Sequence, residues 1–369
     1  MSMTTRAAVC RAPGQPWEIT GLELDEPKAN EIRIKFHAAG LCHSDDHIQK
    51  GDAPMRMPVV GGHEGAGVVD AIGAGVTRVA VGDHVTCSFI PACGSCRYCS
   101  TGRQHLCDAG KNAGTGMFPD GTFRFHQDGE DLGGLCVLGT FSQYAVVSEF
   151  SVIPIPKEIS FDVAALVACG VPTGWGSAVR AGGVRAGQTV VIYGSGGVGS
   201  NAVQGASMAG AKNVIVVDPV EFKRDMAKVF GATHTFATAK EAHEFVVETT
   251  WGELAYHAII TVGILHDQVI RDAIQVVGKS GQVTITAVGN GWIDENPGVL
   301  IGYQRRIQGS IYGGCSPLSD VPLLIGLYQS GDLKLDELIT RRYRLEEINQ
   351  GYQDMLDGKN IRGVIIHEH

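Results

Sequence analysis

The sequence predicts an α/β protein in which a compact, mostly antiparallel β domain precedes a doubly wound parallel sheet. The chain has 369 residues, more than the roughly 250–300 residues at which a single hydrophobic core stops growing. Up to about residue 150, short alternating apolar runs are broken by Gly and Pro. After residue 168, apolar strands alternate with longer amphipathic segments, the pattern of a parallel sheet covered by helices.

In the first domain, expected at residues 1–170, the runs at 31–37 and 65–72 alternate in polarity and predict strands. Residues 114–139 are rich in Gly, Asp and Phe and have no clear period. We expect this segment to be a long surface excursion.

The second domain is expected at residues 171–313. Buried β-branched strands that alternate with helices indicate a doubly wound sheet. The predicted strands are 189–193, 213–217, 257–262, 282–287 and 307–312, and the predicted helices include 198–209 and 221–230. The remaining segment, 314–369, is predicted to return to the first domain through a strand at 363–366.

Composition excludes several classes of protein. Hydrophobic residues make up 44% and charged residues 19% of the chain, which is a globular profile and not that of a disordered chain. The formal net charge of −9 argues against a nucleic-acid partner, because phosphate binding requires a basic surface.

No signal for a membrane or for export is found. No stretch approaches the roughly 18 apolar residues that a membrane span requires, and residues 1–17 contain no apolar signal-peptide core. We therefore expect a cytoplasmic protein. In that compartment, clustered cysteines are more often metal ligands than disulfides.

A glycine-rich turn follows the strand predicted at 189–193 and opens a helix. Glycines at such a turn allow a pyrophosphate to approach the helix N-terminus. Asp218 ends the next strand, 19 residues after Gly199, close to the spacing of an acidic residue that binds the ribose hydroxyls. This favours a dinucleotide site over a plain turn, with turn residues Gly194, Gly196, Gly197, Val198 and Gly199.

Asp218 also predicts which cofactor is bound. Its carboxylate would repel a 2′-phosphate, so NAD is favoured over NADP. Lys223 is a candidate for a second contact with the same ribose, and a solvated helix charge is the alternative.

Four cysteines within one short stretch predict a closed zinc site. Such a site, with sulfur at all four positions, stabilises the fold and leaves no place for a substrate. Free thiols, disulfides and a zinc-ribbon nucleic-acid module are the alternatives, but the lobe has few basic residues. The four residues are Cys93, Cys96, Cys99 and Cys107.

A second, dispersed set of possible ligands lies elsewhere. It begins with Cys42, continues with His63 and Glu64, and ends with Cys169, more than a hundred residues later. Spacing alone cannot show that these side chains meet.

The motifs together resemble those of the zinc-dependent alcohol dehydrogenases of the medium-chain dehydrogenase/reductase superfamily. They are the glycine-rich run at 61–69 around His63, the four-cysteine lobe, the Cys-Gly-Val-Pro-Thr-Gly run at 169–174 and the glycine turn. The resemblance extends over residues 7–366. It implies a GroES-like catalytic domain and a Rossmann NAD-binding domain.

The resemblance implies that Cys42, His63 and Cys169 hold a catalytic zinc, the Cys2His donor set known for alcohol dehydrogenases. With the closed site, this gives two zinc ions per chain. Glu64 resembles the residue that approaches the zinc during ligand exchange. Asp45 resembles the carboxylate that orients the histidine ligand, and an ordinary loop carboxylate is the alternative.

The same resemblance implies a mechanism. Zinc lowers the pKa of a bound hydroxyl group, and hydride then passes to the nicotinamide. Ser44 and His47 are expected to project from one loop and to pass the alcohol proton to solvent, whereas an exposed loop histidine is the alternative for His47.

Several further residues are assigned by resemblance alone. The expected additional cofactor contacts are Thr173, Val262, Val288 and Arg362. His43 stands where many relatives have an arginine. Phe89, Val137 and Leu138 resemble substrate-pocket walls, and core packing is an equal alternative.

Within the family, the runs at 218–224 and 333–339 resemble the nitrosodimethylaniline-dependent nicotinoproteins of actinobacteria, in which a tightly bound NAD is recycled by an external acceptor. A glutathione-type formaldehyde dehydrogenase and a non-catalytic zinc- and nucleotide-binding protein are the alternatives. The expected partners are a small alcohol or aldehyde and a second copy of the chain, in a homodimer or higher homo-oligomer.

Overall fold

The computed structural model describes residues 2–293 and 295–369 and divides the chain into two units. None of the predicted site residues falls on Met1 or Asp294, which lie outside the described residues. The first unit comprises Met1–Cys169, Ser316–Gly326 and Leu335–His369. The second comprises Gly170–Cys315 and Leu327–Lys334.

The first unit is built mainly of antiparallel strands. Its strands are β1 (Met3–Cys10), β2 (Glu18–Leu24), β3 (Glu31–Gly40), β4 (Val59–Val60), β5 (Gly65–Ile72), β6 (His84–Cys87), β7 (Phe125–Gln127), β8 (Glu130–Gly134), β9 (Tyr144–Ser148), β10 (Val152–Pro154), β17 (Ile339–Tyr343) and β18 (Arg362–Ile366). Its helices are α1 (His43–Lys50), α2 (Phe161–Leu166), α10 (Ile348–Leu356) and most of α9 (Pro317–Gln329).

Two sheets form the core of this unit. A closed barrel has the order β1-β2-β7-β8-β4, and a second sheet has the order β10-β6-β5-β3-β18-β17, with β9 also paired to β3. Ile32, Ile34 and Phe36 of β3 are fully buried, as expected for alternate residues of one face. The last strand, β18, pairs antiparallel with β3, so the end of the chain lies in this unit.

The prediction of a surface excursion at residues 114–139 was wrong. Part of the segment forms the hairpin of β7 and β8, which belongs to the barrel. Phe118, Phe125, Leu132 and Leu138 are buried in the core. The two strands are only three and five residues long and their burial does not alternate, so no strand period can be recognised in the sequence.

A buried ion pair ties this hairpin to β3. The Arg124 guanidinium is fully buried, donates two hydrogen bonds to Glu31, one of 2.7 Å from Nε to Oε2, and lies 4.2 Å from the ring centre of Phe118. Each charge compensates the other, because burying an unpaired charge is unfavourable in free energy.

The second unit is a parallel sheet with helices. Its strands are β11 (Thr189–Tyr193), β12 (Asn213–Val217), β13 (His234–Phe236), β14 (Ala255–Ile260), β15 (Val277–Ile285) and β16 (Arg306–Gly309). Its helices are α3 (Gly170–Gly176), α4 (Gly197–Met208), α5 (Glu221–Val229), α6 (Ala239–Thr249), α7 (Asp267–Val276) and α8 (Pro297–Ile301). The order β13-β12-β11-β14-β15-β16 is parallel throughout. The predicted fold class is therefore confirmed.

The sheet order has a functional consequence. The chain leaves β11 towards β12 on one side and later returns to β14 on the other. In open parallel sheets, ligands bind beyond the carboxyl ends of the strands where the order reverses. Gly194, which follows β11, lies at this position.

Residues 327–334, expected from the sequence in the C-terminal segment, group with the second unit. The Gln204 side chain binds the main chain of Lys334 through two hydrogen bonds of 2.8 and 3.0 Å. Lys334 Nζ also donates to the Val229 carbonyl at 2.7 Å. These long-range contacts are not encoded in any local pattern.

Among the described residues, no helix combines the length and the apolar character needed to cross a membrane.

Candidate metal centres and dinucleotide site

Helix α1 carries several of the candidate side chains. Cys42 precedes the helix in an extended conformation, and Gly51 ends it in the left-handed region with φ of 87°, which glycine adopts without steric cost. Ser44 and His47 therefore lie on a helix, and the prediction that they share a loop was wrong. The segment is only eight residues long, too short for a clear helical period.

Asp45 connects this helix to the loop that bears His63. Its Oδ1 accepts a hydrogen bond of 2.9 Å from the N–H of Gly62, and its Oδ2 lies 3.2 Å from His63 Nδ1. Gly62 has φ of 88°, a backbone conformation that residues other than glycine rarely adopt. Because Nδ1 faces the carboxylate, Nε2 of His63 is left for a metal.

The dispersed ligand set does converge. One ligand atom each from Cys42, His63, Glu64 and Cys169 lies within 4.8 Å of the others, and all four residues are buried. Cys42 ends the loop after β3, His63 lies between β4 and β5, and Cys169 lies between α2 and α3. Three separate elements thus build one centre.

The charges at this centre fit a bound cation. A hydrogen bond from the Cys169 thiol lowers the pKa of Cys42 far below its usual range, and the same bond, with burial, raises the pKa of Cys169. Burial would lower the pKa of His63, but Asp45 and the two sulfur groups raise it. Two sulfur donors and one imidazole form a donor set that zinc prefers.

Glu64 and Arg362 form a buried ion pair beside these donors. The Arg362 guanidinium donates to Glu64 Oε2, and both side chains are almost completely buried. Burial raises the pKa of Glu64 to about 7, although Arg362 opposes the shift. Arg362 is therefore placed against Glu64 in the first unit, and its expected contact with a cofactor phosphate stays a prediction.

The four-cysteine lobe has the geometry of a closed site. The Sγ atoms of Cys93 and Cys99, and those of Cys96 and Cys107, are 3.9 Å apart. This matches the edge of about 3.8 Å for a tetrahedron with Zn–S bonds of about 2.3 Å and is far longer than the roughly 2.05 Å of a disulfide.

Backbone groups prepare this lobe for a cation. The N–H of Cys96 donates to the Cys93 sulfur at 3.3 Å, and that of Cys99 to the Cys96 sulfur at 3.4 Å. Burial raises the pKa of Cys93, but the backbone N–H groups of Cys96 and Ser95 lower it to about 6. Such contacts favour the thiolates that zinc binds.

The glycine turn has the backbone geometry expected for a dinucleotide site. Gly194 has φ of 90°, and Gly196 caps α4, in which Gly197 and Val198 are the first residues. A Cβ atom at Gly199 would collide with the Gly194 carbonyl oxygen, so helix and turn can approach this closely only with glycine there. The free N–H groups of the first helical turn are suited to a pyrophosphate.

Asp218 is anchored by the same turn. Its Oδ2 accepts from the Ser195 N–H at 2.8 Å and its Oδ1 from the Val220 N–H at 2.9 Å. Arg224, which the sequence analysis missed, donates to the Asp218 carbonyl at 2.8 Å. Lys223 lies on α5 and is partly buried.

The remaining cofactor candidates all lie in the second unit. Thr173 is buried in α3, Val262 follows β14 beside Gly194, and Val288 is 48% exposed. Thr261 was missed by sequence analysis, although its Oγ1 donates to the Gly194 carbonyl at 2.8 Å and so joins β14 to the turn.

The proposed proton path and pocket walls occupy the first unit. Ser44 Oγ lies 3.6 Å from Cys42 Sγ, and the His47 side chain is 3% exposed.

The Phe89 ring meets His63 edge-on, with ring centres 5.7 Å apart. Val137 has φ of 58°, unusual for a β-branched residue, and Leu138 is fully buried in the barrel core, which favours packing over a pocket wall.

Two family models match most of the chain. The alcohol dehydrogenase GroES-like domain matches residues 28–157, and the zinc-binding dehydrogenase model matches residues 197–330. The chain is 55% identical over 368 residues to the NDMA-dependent alcohol dehydrogenase of Amycolatopsis methanolica, with 99% of each sequence covered.

Two solved structures are similar along almost the whole chain. An alcohol dehydrogenase zinc-binding domain protein from Burkholderia ambifaria has a TM-score of 0.92 at 31% identity, with all of both chains covered. Benzyl alcohol dehydrogenase from Acinetobacter calcoaceticus has a TM-score of 0.90 at 28% identity, with 99% of this chain and 100% of that chain covered.

The two ligand sets predict distinct effects of cysteine substitution. The wild-type protein should contain two zinc ions per chain, and Cys42→Ser and Cys99→Ser should each contain about one. Cys99→Ser should lower the Tm, because a closed zinc site contributes folding energy, whereas Cys42→Ser should retain a near-normal Tm without turnover. Elemental analysis and calorimetry measure both effects.

Cys10→Ser is the matched control, since Cys10 is a buried thiol outside both sets. It should retain two zinc ions. One zinc ion or none in the wild-type protein would contradict the prediction.

Asp218→Asn should weaken NAD binding and raise the NADP/NAD ratio of kcat/KM by about tenfold or more, equivalent to roughly 1.4 kcal/mol. The substitution removes the charge that repels a 2′-phosphate and keeps one oxygen for the turn. Asp225→Asn, which removes an exposed carboxylate from α5, should leave the ratio unchanged. An unaltered ratio in Asp218→Asn would refute the assignment.

Proposed function

The chain belongs to the zinc-dependent alcohol dehydrogenases of the medium-chain dehydrogenase/reductase superfamily, and from this premise we propose that it oxidises a small alcohol to an aldehyde or ketone with NAD. The convergence of Cys42, His63 and Cys169 carries the proposal. Three ligands leave one coordination position for a substrate, whereas the four-cysteine lobe leaves none.

The residues around the open position have separable tasks. When bound, zinc lowers the pKa of a coordinated hydroxyl group. Asp45 fixes the orientation of His63, and the Ser44 hydroxyl, next to the Cys42 sulfur, is placed to accept the alcohol proton. His47 takes this proton onward to solvent. In the second unit, the α4 N-terminus and Asp218 bind NAD.

Glu64 has a different part in this proposal. Its carboxylate belongs to the convergent set but is paired with Arg362. A carboxylate held this close would offer a bound metal an alternative ligand while the alcohol and aldehyde exchange, and Arg362 stabilises the carboxylate at other times. This role depends on the position of the Glu64 carboxylate and requires no proton transfer by Glu64.

We further propose that NAD stays bound and is reoxidised in place by a small external acceptor. The 55% identity to an NDMA-dependent enzyme supports this cofactor cycle. Slow dissociation is sufficient for it, because affinity differences among related complexes lie mostly in the off-rate.

Two alternatives are less well supported. A glutathione-type formaldehyde dehydrogenase would need an acidic cluster where the glutathione adduct binds, and the short segment at residues 51–60 has no such cluster. A non-catalytic zinc- and nucleotide-binding protein would have no use for an open ligand set beside Ser44 and His47.

A cytoplasmic location fits the proposal, because thiol ligands remain reduced there.

After desalting and heat denaturation, the protein should release close to one NAD or NADH per chain. Alcohol oxidation should proceed with nitrosodimethylaniline as acceptor and without added NAD. A panel of aliphatic and benzylic alcohols, with S-(hydroxymethyl)glutathione as comparison, identifies the substrate class. An empty site, or steady release of NADH to solution, would refute the retained cofactor and leave the dehydrogenase assignment intact.

We also propose that two copies pair through the edge strand β16. Among the described residues, β16 is paired on one side only, by β15, and an open edge favours addition of another strand. The large apolar side chains Ile301, Tyr303 and Ile311 are exposed around it. A two-fold axis would pair β16 with itself in a homodimer.

Ile311→Asp should shift the protein towards monomers in sedimentation velocity experiments, because it places a charge in the proposed interface. Val229→Asp is the control, since Val229 is similarly exposed on α5. A monomeric wild type, or equal dimer stability in both variants, would refute the β16 interface.

A further inference from the structure

A side chain outside the four-cysteine lobe binds the main chain where the lobe begins. Arg78 lies between β5 and β6 and is partly buried. Its Nη2 donates a hydrogen bond of 2.9 Å to the carbonyl oxygen of Ala92, and its Nη1 donates one of 3.1 Å to the carbonyl oxygen of Glu149. Ala92 directly precedes Cys93, the first cysteine of the lobe. The guanidinium therefore ties the start of the lobe to the segment between β9 and β10.

The peptide group that Arg78 binds also contacts one of the sulfur ligands. The carbonyl of Ala92 and the N–H of Cys93 belong to the same planar peptide unit. That N–H donates to the Cys107 sulfur at 3.4 Å. A hydrogen bond to the carbonyl polarises the peptide and strengthens the hydrogen bond that its N–H donates. Arg78 is thus connected to the Cys107 sulfur through one peptide group.

This peptide joins the first and last cysteines of the lobe. The N–H groups of Cys96 and Cys99 each donate to a cysteine sulfur three residues earlier, which is a local contact. The N–H of Cys93 instead donates to a sulfur 14 residues later. The N–H of Ala92 is itself bound to the carbonyl of Phe150 at 2.8 Å. The contact that closes the lobe is therefore held in place from outside the lobe.

The charge of Arg78 suits the same arrangement. Four thiolates with one divalent zinc ion would carry a net charge of about −2. Burial lowers the pKa of Arg78, whereas the Glu149 carboxylate and three sulfur groups of the lobe raise it. The Glu149 carboxylate accepts a hydrogen bond of 3.2 Å from the N–H of Thr77 and is the anion that competes for this charge. The guanidinium therefore lies in the field of the sulfur ligands.

We propose that Arg78 is a positioning residue for the closed metal site, a role that rests on the zinc site proposed for the four-cysteine lobe. It fixes and polarises the peptide between Ala92 and Cys93, and the N–H of this peptide stabilises the Cys107 thiolate. Its positive charge offsets the negative charge of the lobe. Removal of this side chain should weaken metal binding although every ligand is still present.

The Cys42→Ser background isolates the lobe, because this variant should retain only the zinc of the four cysteines. In that background, Arg78→Met removes the charge and both hydrogen bonds. It should lower zinc affinity, measured by competition with a chelator, by about 10–100-fold, the range for partners of metal ligands. Arg78→Lys keeps the charge and one donor and should restore most of this loss. The matched control is Arg97→Met, which removes an exposed arginine that lies over the Tyr98 ring of the lobe and should match the parent.

Two further measurements distinguish an electrostatic role from packing. In Cys42→Ser protein loaded with cobalt, the sulfur-to-cobalt charge-transfer band reports how tightly the thiolates hold their electrons. Arg78→Met should move this band to longer wavelength, because a thiolate with weaker hydrogen bonding gives up an electron more easily, and Arg78→Lys should stay near the parent. Glu149→Gln removes the competing anion and keeps an oxygen for the Thr77 N–H, so zinc affinity should not fall.

Unchanged zinc affinity in Arg78→Met, or an equal loss in Arg97→Met, would overturn the proposal. A loss of affinity without a shift of the cobalt band would do the same, since it would indicate distortion of the lobe. If Arg78→Met does not fold, a large loss of affinity in Arg78→Lys or Glu149→Gln still overturns it. Cys42→Ser protein without bound zinc would refute the closed site itself, and none of these measurements requires alcohol oxidation.

Discussion

The buried carboxylate of Asp45 is the interaction on which the candidate catalytic centre depends. One oxygen binds the N–H of Gly62 and the other faces His63, while the residue itself belongs to α1. It therefore joins the element that carries Cys42 to the loop that carries the histidine ligand. A fully buried carboxylate is tolerated only with such partners, so the geometry of the loop and the orientation of the imidazole are fixed together.

Charge balance explains the surroundings of this centre. Two thiol groups, one of them strongly acidified, lie beside Glu64 in a buried site. Arg362 compensates Glu64, and a divalent cation bound there would compensate the sulfur donors once they are deprotonated. A cation bound by the sulfur donors and His63 would therefore not have to neutralise Glu64 as a third anion.

The sequence was sufficient where function depends on local backbone geometry. The turn from Gly194 to Gly199 and the spacing of the four cysteines are short-range patterns, and the structure shows the corresponding turn and sulfur cluster. The sequence was insufficient where contacts between distant residues determine the structure. The pairing of Arg124 with Glu31 joins residues 93 positions apart, and without it residues 114–139 look like a loop. The meeting of Cys42 with Cys169 needed resemblance to be recognised.

The two sulfur-rich centres differ in a way that matches their proposed tasks. Close spacing lets the four-cysteine lobe offer a complete shell from one segment, so a metal bound there would stabilise that segment but could not accept a substrate. The donors of the other centre come from three elements whose positions are set by β3, by β5 and by the end of α2. No single segment can close this shell, and the packing of the barrel and sheet determines what remains open. The fold must therefore form before this centre exists, whereas the four-cysteine lobe can assemble from one segment.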